Sequence, residues 1–249
     1  MIEQAAALLR QSSYTVVLTG AGISTPSGIP DFRSSKDGIW EKYDPMYVAS
    51  LASFRVAPQR VFDWMRPLAI TMFNAQPNPA HIALAELEEI GRIQEIITQN
   101  IDGLHKKAGS KVIHEIHGSM STLTCVSCFT QFPAQGHIHP YIDEGLIPAC
   151  PDCDNILKPD VILFGEQLPI KTWEASTKAI NACELLIVVG SSLEVTPVAG
   201  LPVHALNHGA HLMIINNDPT YIDSRADLVF NNDVVDILPM IANEFKKSR

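Results

Sequence analysis

The chain lacks both the long apolar segments of membrane-spanning proteins and the excess of positive charge found in many nucleic-acid-binding proteins. No apolar run in its 249 residues approaches the ~18 residues that a membrane-spanning helix needs. Lys and Arg number 18 against 27 Asp and Glu, and the resulting formal net charge of −9 disfavours binding to a phosphate backbone. The first residues have neither the basic region nor the cleavage site of a secretory signal. We therefore expect a cytoplasmic protein with no membrane partner and no direct nucleic-acid binding.

The sequence also lacks internal repeats and low-complexity segments. Its 14 glycines and 17 prolines are an ordinary share for this length, which excludes disordered and fibrous classes. Hydrophobic residues make up 46% of the chain and charged residues 18%, as in a globular protein with a substantial core. The length fits one large domain, or one domain that carries a smaller insertion.

Cysteines are few, and four of the five form two C-x-x-C pairs: Cys125 with Cys128, and Cys150 with Cys153. In a chain without a secretion signal, this pattern does not favour a disulfide framework. Two pairs separated by 21 residues are typical of a structural zinc ion held by four thiolates. A redox role for one pair is the alternative, but it leaves the second pair unexplained. The fifth cysteine, Cys183, precedes an apolar segment and is predicted to be a core residue.

Apolar strands alternate with helical segments over most of the chain. This order predicts an α/β fold with a Rossmann-like parallel sheet covered by helices on both faces. The cysteine segment interrupts the alternation and is therefore assigned to a smaller inserted module. Residues 27–45 are predicted as loop, with helical patches between 45 and 75. Strands are predicted near 14–19, 93–98, 185–189 and 212–215, with a short segment of unassigned type at 112–116. Helices are predicted near 2–12, 79–90, 171–182, 198–208 and 234–247.

Small or amide residues follow four of the predicted strands. In parallel sheets, ligands bind at the carboxyl ends of the strands, where glycine permits a close backbone approach and helix N-termini offer free N–H groups. Four such ends together favour a dinucleotide site. They are Gly20-Ala21-Gly22, Gln99-Asn100, Gly190-Ser191-Ser192 and Asn216-Asn217.

The first of these segments does not match the fingerprint of a hydride-transferring dehydrogenase. In G-x-G-x-x-G the third glycine would stand where this chain has Thr25. The acidic residue expected about twenty positions later should end a second strand, whereas Glu41 and Asp44 lie in a polar segment. The nucleotide is therefore expected to bind in another manner.

Seven ordered motifs make the sequence resemble the sirtuin family of NAD-dependent protein-lysine deacylases over nearly the whole chain. Besides the two cysteine pairs, the motifs are Gly20-Ala21-Gly22-Ile23-Ser24, the segment 28–34 (GIPDFRS), the segment 98–105 (TQNIDGLH), His117-Gly118, Phe164-Gly165-Glu166, Gly190-Ser191-Ser192-Leu193 and Ile215-Asn216.

The resemblance implies a single catalytic domain over 1–249, divided into a large and a small part. The Rossmann-like large part would comprise about 1–30, 80–118 and 158–249. The small part would combine a helical module at about 31–79 with a zinc-binding module at about 119–157, in which Cys125, Cys128, Cys150 and Cys153 hold one structural zinc ion.

The activity implied by the resemblance is NAD-dependent deacetylation of protein lysines. Acetyl-lysine, NAD and water would give lysine, nicotinamide and O-acetyl-ADP-ribose, so that NAD is consumed as a co-substrate. The partners would be acetylated proteins or peptides. His117 matches the family's general base, a role that suits the unperturbed pKa of histidine, and Asn100 would assist it.

The remaining site residues are carried over from the same motifs. Apolar walls at Ile162, Phe164 and Val195, with Gly165, would receive the acyl-lysine. The residues implied in NAD binding are Gly20, Ala21, Gly22, Ser24, Phe32, Arg33, Gln99, Asn100, Ile101, Asp102, Gly190, Ser191, Ser192, Asn216, Asn217 and Asp233.

The acyl preference is expected to follow from one helical segment. Family members specialised for succinyl-type chains carry a Tyr-x-x-Arg pair there, and this chain has Met65 and Leu68 near the corresponding positions. Arg66 is predicted to be a solvated helix charge. Acetyl and longer apolar acyl groups should therefore be preferred over succinyl.

Two other functions are compatible with the motifs. The same pocket could serve a protein ADP-ribosyltransferase or an NAD glycohydrolase. A non-catalytic nucleotide- or zinc-dependent binding module is the second alternative, which the intact His117, Asn100 and Asp102 disfavour.

Overall fold

The computed structural model describes residues 1–31 and 39–247. Its strands are β1 Thr15–Thr19, β2 Glu95–Thr98, β3 Ile113–Glu115, β4 Gly118–Cys125, β5 Gln131–Pro133, β6 Leu157–Val161, β7 Leu185–Val189, β8 His211–Ile215 and β9 Leu228–Phe230. Its α-helices are α1 Ile2–Gln11, α2 Ile39–Lys42, α3 Pro45–Val48, α4 Leu51–Val56, α5 Pro58–Asn74, α6 Pro79–Glu89, α7 Leu104–Ala108, α8 Ile138–Glu144, α9 Ile170–Ala182, α10 Leu201–Asn207 and α11 Val234–Lys247.

Six strands form one parallel sheet in the order β3-β2-β1-β7-β8-β9. The strand order reverses between β1 and β7, and in such sheets the crevice beyond the carboxyl ends at this point is where ligands bind. The predicted α/β fold with a Rossmann-like parallel sheet is confirmed. In the described ranges no helix has both the length and the apolar character required to cross a membrane.

Helices cover the sheet on both faces because the central strands carry apolar side chains on both faces. All five side chains of β7 are buried, and they alternate between two cores. Ile187 and Val189 pack on the side of α1, α6 and α11. Leu186 and Val188 pack on the side of α9 and α10. The sheet is therefore fixed as the middle layer of three.

A smaller antiparallel sheet has the order β5-β4-β6. It joins the large sheet through the short link from β3 to β4. Helices α5 and α8 pack on it and form a third apolar core, which includes Phe62 and Tyr141. The division into a large and a small part stays a prediction. The pairing of β6 with β4 places residues 157–161 in the smaller sheet.

Some elements differ from the sequence expectations. The predicted loop 27–45 contains α2, so the expectation is wrong for residues 39–42. The predicted helix 198–208 begins as a 3₁₀ turn and becomes α-helical only at Leu201. The edge strand β9 and the short helices α7 and α8 were not predicted, because three to seven residues are too few to establish a hydrophobic period.

Two loops approach each other closely where β1 and β7 end. The Gly22 N–H donates to the Gly190 carbonyl oxygen at 2.8 Å, and the Gly20 N–H donates to the Val189 carbonyl oxygen at 3.1 Å. A Cβ atom on Gly190 would lie 2.2 Å from the backbone nitrogen of Ile23, and Gly190 has a φ of +57°. Glycine at position 190 is thus required by both space and backbone conformation.

Replacing Gly190 with Ala should lower the free energy of unfolding by about 2 kcal/mol, because the added methyl forces the two loops apart. For a chain of this length the melting temperature should fall by roughly 4–8 °C. Gly136→Ala is the matched control, since a Cβ there meets nothing within 4 Å. Equal melting temperatures for the two variants would contradict the packing argument.

Candidate functional site

The residues that follow β2 link the loops after β1 and β7. The Gln99 backbone N–H donates to the Thr19 carbonyl oxygen at 3.0 Å. The Gln99 side-chain Nε2 donates to Ser191 Oγ at 2.9 Å. Three strand ends that are far apart in sequence therefore meet at one place, as the pattern of glycine and amide residues predicted.

A chain of polar contacts continues from this junction. Asn100 Nδ2 donates to the Gly20 carbonyl oxygen at 3.0 Å and to Ser24 Oγ at 3.1 Å. The Ser24 hydroxyl donates in turn to Asp102 Oδ2 at 2.7 Å, and the Leu104 N–H donates to Asp102 Oδ1 at 2.8 Å. Burial raises the pKa of Asp102, while these two hydrogen bonds oppose the shift. The carboxylate is thus held rigidly with its acceptor atoms oriented.

His117, which follows β3, faces the same junction. Its Nδ1 lies 3.0 Å from the Gln99 carbonyl oxygen. Because a carbonyl can only accept, Nδ1 carries the hydrogen of the neutral ring and Nε2 has the lone pair. This tautomer allows Nε2 to take a proton from a hydroxyl group, as a general base must.

These groups open into a cavity of about 310 Å³. One side is polar and includes Ser24, Asn100, Asp102 and His117, and the other sides are mainly apolar. The cavity brings together His117, six of the predicted NAD-binding residues and all four predicted acyl-lysine residues. The predicted residues on its lining are Ala21, Ser24, Gln99, Asn100, Ile101, Asp102, His117, Ile162, Phe164, Gly165 and Val195.

Other predicted residues lie along the strand ends outside this cavity. The Asn216 side chain donates to the Asp218 carbonyl oxygen at 2.7 Å. Asp233 is exposed, and its carboxylate accepts the Val235 N–H at the start of α11, which is a helix-capping contact. Phe32 and Arg33 lie outside the described residues. Their roles stay predictions, as do those of Gly20, Gly22, Gly190, Ser191, Ser192, Asn216, Asn217 and Asp233.

Sequence reasoning missed several residues that line the cavity, five of which belong to α2, α5 and β4. Trp40 stacks on Trp64 with ring centroids 5.6 Å apart, and its edge meets Phe164 at 5.8 Å. The helical spacing of Trp64, Leu68 and Met72 indicated one apolar face of α5. Spacing alone does not show whether such a face packs in a core or lines a cavity. The five are Trp40, Trp64, Ala69, Met72 and Met120.

Buried side chains support the Asn100 loop from behind. Thr19 Oγ1 lies 2.9 Å from His105 Nε2 and donates to Thr98 Oγ1 at 2.8 Å, and Thr98 Oγ1 accepts the Asn100 N–H at 3.1 Å. Burial lowers the pKa of His105 to about 3 and that of the adjacent His81 to about 4, so both rings are neutral at physiological pH. They are therefore structural groups of the core.

The four paired cysteines converge at one end of the smaller sheet. Their sulfur atoms all lie within 4.8 Å of one another, with Cys125 Sγ 3.4 Å from Cys153 Sγ and Cys128 Sγ 3.7 Å from Cys150 Sγ. A tetrahedral zinc ion with Zn–S bonds of ~2.3 Å separates its ligands by roughly 3.8 Å. The donor set therefore fits one four-coordinate zinc ion with no open coordination position, which is a structural site.

Comparison with known proteins agrees with this geometry. The model of the Sir2 family matches residues 20–197, which is more than half of the chain. The chain belongs to the Sir2 family.

Individual Sir2 relatives match over almost their whole lengths. "NAD-dependent protein deacylase 2" of Archaeoglobus fulgidus is 42% identical, and the alignment covers 100% of this chain and 97% of the relative. An NAD-dependent protein deacetylase of Saccharolobus solfataricus is also 42% identical, with 98% and 97% covered. A solved structure of Sir2 with a p53 peptide and NAD⁺ superposes with a TM-score of 0.90 at 37% identity, covering 99% of each chain.

Purified protein should contain about one zinc ion per chain, and Cys150→Ala should lose the ion and lower the melting temperature, because three thiolates hold zinc more weakly than four. Cys183→Ala is the matched control: it removes a buried cysteine that is not part of the cluster, so zinc content should be unchanged. Metal analysis by mass spectrometry gives the stoichiometry. Folded wild-type protein without zinc would refute the assignment.

Proposed function

We propose that this chain is an NAD-dependent protein-lysine deacetylase with His117 as its general base. The observation that carries the proposal is one cavity that joins two chemically different walls. His117, Asn100 and Asp102 stand on the polar side, and the apolar side includes Ile162 and Phe164. An acetyl-lysine side chain is neutral and slim, so an apolar wall receives it without leaving a charge unpaired.

The residues at the strand ends fit NAD. The crossed glycine loops carry no side chain beside the Gln99–Ser191 pair, which lets phosphate and ribose approach the backbone. Asp102, with its fixed carboxylate, is placed to accept the carboxamide N–H of nicotinamide. When bound, NAD supplies an electrophilic ribose carbon by release of nicotinamide. Family membership and the NAD-dependent names of the relatives support this assignment.

The role of His117 follows from its tautomer. Nδ1 is occupied by the Gln99 carbonyl, so the ring is oriented and its basic nitrogen is Nε2. With NAD and acyl-lysine bound, Nε2 would take up the proton of a ribose hydroxyl. Asn100 is fixed by Gly20 and Ser24, and its position beside the cavity lets it order the ribose and water.

The protein substrate binds beside the segment that follows β6. Phe164 pairs with the backbone of the Ala49–Leu51 segment on one side, through the Phe164 N–H to the Ala49 oxygen and the Leu51 N–H to the Phe164 oxygen, both at 2.9 Å. Gly165 lines the cavity mouth and offers main-chain groups to an extended peptide. The peptide-bound Sir2 structure supports acetylated peptides as partners.

The apolar wall also separates this function from its rivals. An NAD glycohydrolase needs only water as the second reactant, and the apolar surface around Phe164 has no role in that reaction. ADP-ribosyl transfer would add mass to the target protein, whereas deacetylation removes an acetyl group. Mass spectrometry of an acetylated peptide incubated with the enzyme and NAD distinguishes the reactions. The cytoplasmic location and the absence of nucleic-acid binding stay predictions.

Replacing His117 with Ala should lower kcat for deacetylation by roughly 10²–10⁴-fold, because the general base is lost. Nicotinamide release by the wild-type enzyme should match deacetylated peptide one to one. His208→Ala serves as the matched control, since His208 lies at the exposed end of α10 and should leave kcat unchanged.

NAD binding and melting temperature should be nearly the same in both histidine variants. Near-normal turnover by His117→Ala, or deacetylation without NAD, would remove His117 or NAD from the mechanism.

Acetyl-lysine should exceed succinyl-lysine in kcat/KM by at least about tenfold, because the distal carboxylate would be buried without a cation. Arg66 is not a solvated charge as expected: its guanidinium donates to the Ile142 and Asp143 carbonyl oxygens at the end of α8, at 2.8–3.0 Å. It is thus held away from Met65 and Leu68 on the cavity wall.

One peptide sequence carrying each acyl group gives the comparison. The double variant Met65→Tyr with Leu68→Arg is the reciprocal control and should raise the succinyl value. A succinyl value equal to the acetyl value in the wild-type enzyme would contradict the argument.

A further inference from the structure

The segment that follows β6 is folded into a tight turn at the edge of the cavity. The Glu166 N–H donates to the Leu163 carbonyl oxygen at 3.0 Å, which closes a four-residue turn around Phe164 and Gly165. Gly165 has a φ of +86°, which glycine adopts without strain at the third position of such a turn. Phe164, Gly165 and Glu166 all line the cavity. The conformation of this turn therefore determines how the backbone beside the proposed peptide site is presented.

The side chain of Glu166 closes the same turn a second time. Its Oε2 accepts the Leu163 N–H at 2.8 Å. Leu163 is only 4% exposed, so water cannot readily replace this hydrogen bond. The same carboxylate oxygen lies 3.1 Å from Lys158 Nζ. The carboxylate is thus held between a backbone donor inside the turn and a cation outside it.

Lys158 attaches this carboxylate to β6. Its Nζ also donates to the Val161 carbonyl oxygen at 2.9 Å and to the Pro159 carbonyl oxygen at 3.2 Å. An ammonium group has three N–H donors, and with Glu166 each of them has an acceptor. The Lys158 and Glu166 side chains are only 16% and 18% exposed, so solvent and salt screen this pair less than an ion pair on the surface.

We propose that Lys158 is a positioning residue for the protein substrate: through Glu166 it holds the turn 163–166 in the conformation that receives the peptide backbone. The inference rests on the proposed function. Lys158 itself is not on the lining of the cavity, so its effect on the reaction is exerted through the Glu166 carboxylate.

The physical reason is preorganisation of the turn. Without the ammonium group, the Glu166 carboxylate would be partly buried with no cation beside it, which is unfavourable. Turning toward water relieves this cost but releases the Leu163 N–H. The substrate then has to order the turn as it binds, and the lost entropy weakens binding. The His117 ring is held by Gln99 and not by this pair, so the chemical step should be preserved once the peptide is bound.

Replacing Lys158 with Met removes the charge at similar side-chain length. The variant should raise the KM for an acetylated peptide by at least about tenfold, while kcat stays within about twofold of the wild-type value. Lys158→Arg keeps a positive charge and several N–H donors, and its KM should stay within about threefold of the wild-type value.

Lys246→Met is the matched control. It removes a Lys–Glu pair between Lys246 and Glu86, whose side chains are 41% and 47% exposed and which joins α11 to α6. Because an exposed pair contributes little and does not touch the turn, the peptide KM should be unchanged.

Peptide binding can also be measured without turnover. Titration calorimetry with the acetylated peptide alone should give a Kd at least about tenfold higher for Lys158→Met than for the wild-type protein. If that variant does not fold, Glu166→Gln replaces it, since the amide oxygen can still accept the Leu163 N–H while the charge is lost. It should raise the Kd by at least about threefold.

The two proposals fail separately. Unchanged peptide KM and Kd in folded Lys158→Met, in an enzyme that deacetylates, overturn the positioning role and leave deacetylation standing. Weaker peptide binding that Lys158→Arg restores, in a protein that removes no acyl group, supports the positioning role and overturns the proposed activity. An equal rise in KM for Lys158→Arg and Lys158→Met, an equal rise in Lys246→Met, or a fall in kcat without a change in KM overturns the role of Lys158.

Discussion

The close approach of the loops after β1 and β7 is the constraint on which the site depends. Gly22 and Gly190 share a hydrogen bond of 2.8 Å at a place where a Cβ on either glycine would lie within 3 Å of the opposite backbone. Parallel strands separated by more than 160 residues can end this close together only if neither loop carries a side chain at the crossing. Two glycines, each of which loses much conformational entropy on folding, are therefore required for the two strand ends to meet in one site.

Gln99 connects this crossing to the His117 ring. Its N–H is bonded to Thr19 at the end of β1, its side chain to Ser191 beyond β7, and its carbonyl oxygen to the His117 ring. One residue therefore fixes both the spacing of the two loops and the tautomer of the His117 ring. Groups held in this way need no rearrangement when charge develops, which is the physical basis of preorganised catalysis.

The convergence of these strand ends could be predicted from the sequence, for an identifiable reason. Strands such as Leu185–Val189 are fully apolar, and the glycine and amide residues after them have few other uses, so the pattern indicates both the sheet and its ligand-binding edge. The cysteine spacing likewise indicated the zinc cluster. The wall formed by α5 could not be derived in this way. The apolar period of Trp64, Leu68 and Met72 is the same for a helix that faces a core and for one that faces a cavity, and only the packing of β4 and α8 against it decides between them.

The polar half of the site and the apolar half on α5 are held in the fold by different interactions. The polar half lies on the loops that directly follow the strands of the large sheet. A substitution there therefore alters the polar groups of the cavity directly. The α5 half is anchored elsewhere: Arg66 donates to carbonyl oxygens of α8, and the Tyr141 hydroxyl donates to the Phe62 carbonyl oxygen at 2.5 Å. Its contribution to the cavity is through apolar side chains alone. The two halves nevertheless touch, because Leu68 and Met72 of α5 pack in one cluster with Ile101 and Leu104, which flank Asp102. A change in the size of either α5 side chain therefore acts directly on the loop that carries Asp102.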